Sequence, residues 1–169
     1  MPGLRIRKAE IADAPRLADI AYRAWESGIL PILTEKKDAR DQERRRLARA
    51  VGQGWRHAIV AEIDDVVVGW CSRQPGRSYI PYLFVMPEIQ GHGIGALLLE
   101  RMEMMLELEG ASRIHLETPA DHVRAVRFYE KQGYSILALK SHGRGGHDPF
   151  SSVHLEKRLR PYDGIIDEQ

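Results

Sequence analysis

The sequence predicts an α/β chain of the α+β kind, with about seven strands and four helices. Three observations carry this. Several short runs alternate apolar and polar residues with a period of two, the signature of half-buried strands. Other runs place apolar residues at i, i+3, i+4 and i+7, one face of an amphipathic helix. Between one strand and one helix lies the run Gln90-Gly91-His92-Gly93-Ile94-Gly95-Ala96, which neither period explains.

The elements follow in order. Leu4-Arg5-Ile6-Arg7 alternates as a strand. Asp13 is placed to cap a helix with Pro15 in its first turn, and Leu17, Ile20, Ala21 and Ala24 form its inner face as far as Trp25. Residues 27–37 contain Gly28 and Pro31 and read as a loop. A second helix is expected over 39–51, its Arg44-Arg45-Arg46 run a solvated face beside Asp41 and Glu43. Residues 58–63 and 66–72 flank Asp64-Asp65 and read as a hairpin. Pro75 and Gly76 mark a turn, and 79–85 is the next strand. A long helix covers 94–109: Ile94, Leu98, Met102 and Met105 line its core side, Leu97 and Leu108 flank them, and Glu100, Arg101, Glu103 and Glu107 face water. Gly110 stops it. A strand over 112–117 ends at Pro119, and Asp121 is placed to cap a helix carrying Ala125, Val126 and Tyr129 inward until Gly133. Strands over 134–140 and 152–158 close the pattern, joined by a loop rich in glycine and histidine. A single domain over 1–160 with a tail at 161–169 is expected.

Composition removes whole classes of function. With 43% hydrophobic and 29% charged residues, the chain has the balance of an ordinary soluble domain. A net charge of +1 gives no support for nucleic-acid binding. The single cysteine, Cys71, excludes an intrachain disulfide and a cysteine-based metal cluster. No apolar run approaches the roughly 18 residues needed to cross a bilayer, and no signal peptide is evident, so a cytoplasmic protein without membrane partners is expected.

A strand, a glycine loop and a helix start turn unpaired N–H groups toward an anion. A Walker-type loop needs a lysine after its last glycine, and Ala96 stands there. A dinucleotide site fits the spacing of Gly91, Gly93 and Ala96, with Glu117 near the ribose position. However, five residues, Met86 to Gln90, separate the strand from the first glycine, and too few residues follow for a doubly wound sheet.

A third reading rests on resemblance. Gln90-Gly91-His92-Gly93-Ile94-Gly95 matches the Q/R-x-x-G-x-G/A signature of the GCN5-related N-acetyltransferase family. Leu83-Phe84-Val85-Met86-Pro87-Glu88 resembles that family's fourth strand and its exit. Ala125-Val126-Arg127-Phe128-Tyr129-Glu130-Lys131-Gln132-Gly133-Tyr134 resembles its second cofactor motif. The order of elements agrees over nearly the whole chain. The resemblance implies a mixed central sheet of about six to seven strands flanked by about four helices, and acetyl-CoA as cosubstrate without a metal. It implies that amides of Gly91, His92, Gly93, Ile94, Gly95 and Ala96, with Gln90 at the motif's first position, bind the pyrophosphate, and that Phe128 lies in the second cofactor motif. It further implies a bulged fourth strand splayed from the fifth, so that backbone groups of Leu83, Phe84 and Val85 hold the pantetheine arm and polarise the thioester carbonyl.

In such a site Tyr129 is the expected acid for the leaving thiolate. Glu117 and Tyr82 lead the candidates for general base, ahead of Glu26 and Tyr79. Glu88 is expected near the phosphate end instead. His122 stands where the family often has asparagine. Trp25 and the loop at 28–33 are expected to wall the acceptor pocket. His142, His147, Asp148 and His154 match no standard metal spacing and read as a substrate-side loop. The expected reaction is acetyl transfer to a primary amine of a small molecule. Acetylation of protein N-termini or lysines, and acyl-CoA binding without catalysis, are the alternatives. A homodimer through the last strands is common in such proteins and is expected as a possibility of this one.

Overall fold

The computed structural model describes residues 1–141 and 151–159. The expected loop at 142–150, with His142, His147 and Asp148, and the tail from 160 lie outside the described residues.

Among the described residues there are seven strands and four α-helices. Strands β1 (Leu4–Lys8), β2 (Ala58–Ile63), β3 (Val66–Ser72) and β4 (Tyr82–Val85) form one antiparallel sheet in that order. Strands β5 (Arg113–Pro119), β7 (Ser152–Arg158) and β6 (Ser135–Lys140) form a second. Asp64 and Asp65 both take positive φ, 49° and 66°, the backbone of a tight hairpin turn between β2 and β3.

Helices α1 (Ala14–Gly28) and α2 (Ala39–Gly54) cover one face of the first sheet. Leu17, Ile20, Ala21, Leu47, Val60 and Trp70 are buried between them. Helix α3 (Ile94–Leu108) packs on the other face, and with α4 (Val123–Lys131) it closes a core that reaches both sheets through Cys71, Leu98, Met102, Ile114 and Leu155.

Several local expectations change. Helix α1 runs on through Ser27 and Gly28, because Ile29 N–H still donates to the Trp25 carbonyl at 2.8 Å. Asp13 holds the N-cap position of α1, but its side chain makes no cap bond; its carboxylate accepts from Glu10 N–H at 2.7 Å and from Arg7 at 2.8 and 3.0 Å. Asp121 precedes the N-cap of α4, which is His122. The buried stripe of α3 is Ile94, Leu98, Leu99, Met102 and Leu106, while Leu97 and Leu108 face solvent. Glu103, expected in water, is buried on this helix and accepts from Tyr134 Oη at 2.9 Å and Lys157 Nζ at 2.8 Å. Arg44 lies over the Tyr22 ring at 3.7 Å instead of standing free.

The two sheets meet at one parallel bridge, Tyr79 to His115. His115 N–H donates to the Ser78 carbonyl at 2.8 Å, and Ile80 N–H donates to the His115 carbonyl at 3.0 Å. Beyond this point β4 and β5 share no ladder. The seam thus opens as a wedge toward the start of α3.

Candidate active site

The bulge expected in the fourth strand lies at Ile80-Pro81, just before β4. Gln74 N–H donates to the Tyr79 carbonyl, whereas Ser72 pairs with Tyr82, so Arg73 faces two residues, Ile80 and Pro81. Proline suits that position because it has no N–H to place. The extra residue reverses which groups face which way. Met86 N–H donates to the Val68 carbonyl at 2.8 Å, so Phe84 and Tyr82 also turn their backbone groups to β3. Leu83 and Val85 therefore turn theirs into the wedge. The expectation that Phe84 shares this role fails on the same alternation.

The Val85 carbonyl accepts from Gln90 Nε2 at 3.0 Å, which fastens the glycine loop to the wedge. Gly91 and Gly93 both have φ of +82°, where an L side chain is strained. A Cβ on either would meet nothing within 4 Å, so the loop presents open backbone. Gly93 is the N-cap of α3 and makes no side-chain cap. The N–H groups of Ile94, Gly95 and Ala96 belong to the first turn and have no partner within the helix. An anion the size of a pyrophosphate fits these donors. His92 folds back, its Nδ1 lying 3.1 Å from the Ile89 carbonyl oxygen. Phe128 of α4 sits behind Gly95, where a Cβ would lie 3.6 Å from its Cζ. Glu88 is held by Arg23 of α1, just beyond the C-terminal end of β4.

Tyr129 follows on α4, its ring edge-on to Phe128 at 5.1 Å and to Tyr134 at 5.8 Å. No side chain among the described residues hydrogen-bonds its hydroxyl. Burial, and then the neighbouring Cys71 thiol and Tyr79 phenol, push its pKa above the ordinary phenol value. Burial followed by Glu117 and Tyr82 pushes Tyr79 up to about 12. Tyr79 thus couples electrostatically with Tyr129, Glu117 and Tyr82, so four candidate residues share one region.

Their surroundings differ. Glu117 pairs with Lys140 of β6. Tyr82 stacks on Phe84 at 5.8 Å, and its hydroxyl accepts from Arg46 at 3.3 Å. Glu26 lies apart, accepting from Tyr22 at 2.9 Å and Arg40 at 3.0 Å. Trp25 is buried in the α1/α2 core rather than open on a pocket. His122 approaches the end of α1, where a Cβ on Gly28 would lie 3.0 Å from its Nε2. Burial, then Arg124, holds its pKa below the usual histidine value.

His115 and its pairing with His154 were not foreseen. A cavity of about 400 Å³ opens beside the bridge, lined by Arg77, Tyr79, His115, Glu117 and His154 among others. His115 and Glu117 alternate on β5 with buried Ile114 and Leu116, a period visible in the sequence. Pairing with His154 depends on the β5–β7 register, which is not. Among the described residues no group of three or more histidine, cysteine or carboxylate side chains is placed to hold a metal ion. No helix among them is long and apolar enough to cross a membrane.

The model of the acetyltransferase (GNAT) family matches residues 16–134. The chain belongs to that family. It is 30% identical to the IAA acetyltransferase of Azospirillum brasilense over 88% of each chain. It is 34% identical to an acetyltransferase of Pectobacterium atrosepticum over 47% of this chain, a match spanning 57% of that relative's length. Among solved structures, the PaiA N-acetyltransferase from Thermoplasma acidophilum in complex with coenzyme A superposes with a TM-score of 0.74 at 20% identity, covering 92% of this chain and 99% of that one.

Proposed function

We propose that this protein transfers the acetyl group of acetyl-CoA directly to a primary amine, and that the acceptor is a small molecule. The observation that carries the reading is the wedge: backbone groups of Leu83 and Val85 turned into an unpaired gap, with the unengaged Tyr129 side chain beside it. An extended thioester arm in that gap would pair with Val85 as an added strand does. Its carbonyl would take the Leu83 N–H, a fixed donor that strengthens as oxygen gains charge in the transition state. The free amine attacks the carbonyl carbon, the C–N bond forms and the C–S bond breaks. The electron pair leaves on sulfur, and Tyr129 supplies a hydrogen bond or proton there. The cavity of about 400 Å³ beside the bridge supports a small acceptor.

Thermal unfolding with acetyl-CoA, CoA and NAD at matched concentrations tests the reading. A ligand at a hundred times its Kd adds about 2.7 kcal/mol of stability. The expected result is a shift with acetyl-CoA and CoA but none with NAD, followed by thiol release that depends on added amine. A shift with NAD alone would overturn it. Binding of acetyl-CoA without thiol release across an amine panel would point instead to acyl-CoA binding without transfer.

A further inference from the structure

Accepting acetyl requires the amine to lose a proton first, and the cavity beside the bridge holds a group suited to take it. His115 Nδ1 and His154 Nε2 lie 3.1 Å apart, close enough to share one proton between two imidazoles. On the other edge of the His115 ring, Nε2 lies 3.6 Å from Glu156 Oε2. Glu156 is buried on β7 and is also approached by Arg113 and Arg158, each at 3.7 Å. Both histidines line the same cavity as Tyr79 and Glu117. The β5–β7 register explains the convergence: His115 faces Glu156 and Glu117 faces His154, so all four project from one side of the sheet.

We propose that His115 and His154 together form the proton acceptor of this site, with Glu156 as a positioning residue. The inference rests on the acetyltransferase reading and adds to it. The incoming ammonium gives one proton to the imidazole pair and becomes the nucleophilic amine. The pair releases that proton to water through the cavity. After attack, the second nitrogen proton offsets the one delivered to sulfur, so the whole reaction yields amide, thiol and one proton in solution. The cationic state of the pair is opposed by Arg77 across the cavity, by Arg113 on β5 and by Arg158 on β7. Glu156 and Glu117 favour it, the latter partly offset by Lys140 of β6. Tyr79 stays neutral and adds no charge below pH 10 or so. Glu117 is already engaged in an ion pair with Lys140.

The test uses the full chain and the variants His115→Gln and His154→Gln. An alkylamine, an arylalkylamine, a diamine and a short peptide with a free N-terminus serve as acceptors. In each variant kcat/KM for the amine should fall about 100-fold near pH 7. It should recover to within about threefold of wild type as rising pH supplies free amine. KM for acetyl-CoA and its thermal shift should not change. Independently of activity, histidine nitrogen NMR of the unliganded wild type should show one proton hydrogen-bonded between His115 Nδ1 and His154 Nε2. A pH profile unchanged in both variants overturns the proposal. So does an equal loss at every pH, which marks a structural role, or the absence of a shared proton between the two rings. Wild-type protein that transfers acetyl to no amine overturns the transfer reading itself, and the proton-accepting role with it. Activity with histidines that share no proton overturns only the latter.

Discussion

Replacing Tyr129 with phenylalanine separates chemistry from stability unusually well in this fold. The hydroxyl makes no hydrogen bond among the described residues, and the ring contacts to Phe128 and Tyr134 are kept by phenylalanine. The variant should therefore unfold at the wild-type temperature within about one degree. Its catalytic effect follows from acidity. In water a phenol near pKa 10 is a weaker acid than a thiol near 8.5, so complete proton transfer is uphill by about 2 kcal/mol. Burial raises the Tyr129 phenol further. It raises the thiolate in the same dry wedge as well, because both anions lose solvation together. Tyr129 thus acts mainly as a hydrogen-bond donor to a sulfur that is gaining charge. Removing one such donor costs about 2.7–4 kcal/mol, or 10²–10³ in kcat. The assay is thiol release under saturating acetyl-CoA and amine, with cofactor affinity measured separately. Affinity should be unchanged, because the bond forms only as sulfur becomes anionic. The raised pKa also places any loss of activity from Tyr129 ionisation above the usual phenol range. A Tyr129→Phe enzyme with kcat within threefold of wild type would refute the assignment.

Three further outcomes follow from the same structure. Buried Glu62 accepts from Arg5 Nε at 2.7 Å and Arg7 Nε at 2.9 Å, so Glu62→Ala should destabilise by about 2–3 kcal/mol in urea unfolding at pH 7. Hydrogen bonding to Arg5, offset in part by burial, holds the folded Glu62 pKa below the usual carboxylate value. Its stabilisation is thus complete above the unfolded pKa of about 4.3 and fades as pH falls through the folded one, so the difference from wild type should shrink at pH 3.5. Gly93→Ala adds a Cβ that meets no atom but must adopt φ of +82°, which should lower stability by about 1–2 kcal/mol and weaken the CoA-induced thermal shift. Lys157→Met should cost about 2–3 kcal/mol by leaving buried Glu103 with Tyr134 alone. The double variant Glu103→Gln, Lys157→Met should recover much of that in a double-mutant cycle of unfolding free energies.

Most elements were legible because their periods are local. The hairpin turned at Asp64-Asp65, and the glycine loop opened α3 at Ile94, where composition and spacing placed them. The face of α3 was less legible. Leu97 and Leu99 lie two positions apart and are equally apolar, and only the placement of the helix against its neighbours decides that Leu99 is buried and Leu97 is not. Glu103 misled for the same reason: its partners Tyr134 and Lys157 come from elements 31 and 54 residues away. The histidine pair depends on register between strands 39 residues apart, which no local pattern encodes.

Pro81 is the residue in this stretch whose chemistry reaches furthest into the site. A strand read continuously over 79–85 gives no reason for a wedge. A proline inside it cannot donate to either neighbour, so the run must break or bulge there. In the structure that break does two things at once. It ends the parallel pairing after Ile80, which leaves β4 and β5 apart. It also shifts the alternation by one, so the groups left facing the gap belong to Leu83 and Val85 and not to Phe84. The side chains follow the same shift. Leu83 packs toward α3 and α4, whereas Tyr82 and Phe84 pack with Trp70 under α1 and α2. One imino acid therefore sets which backbone groups are free for a ligand and which aromatic rings border the acceptor side.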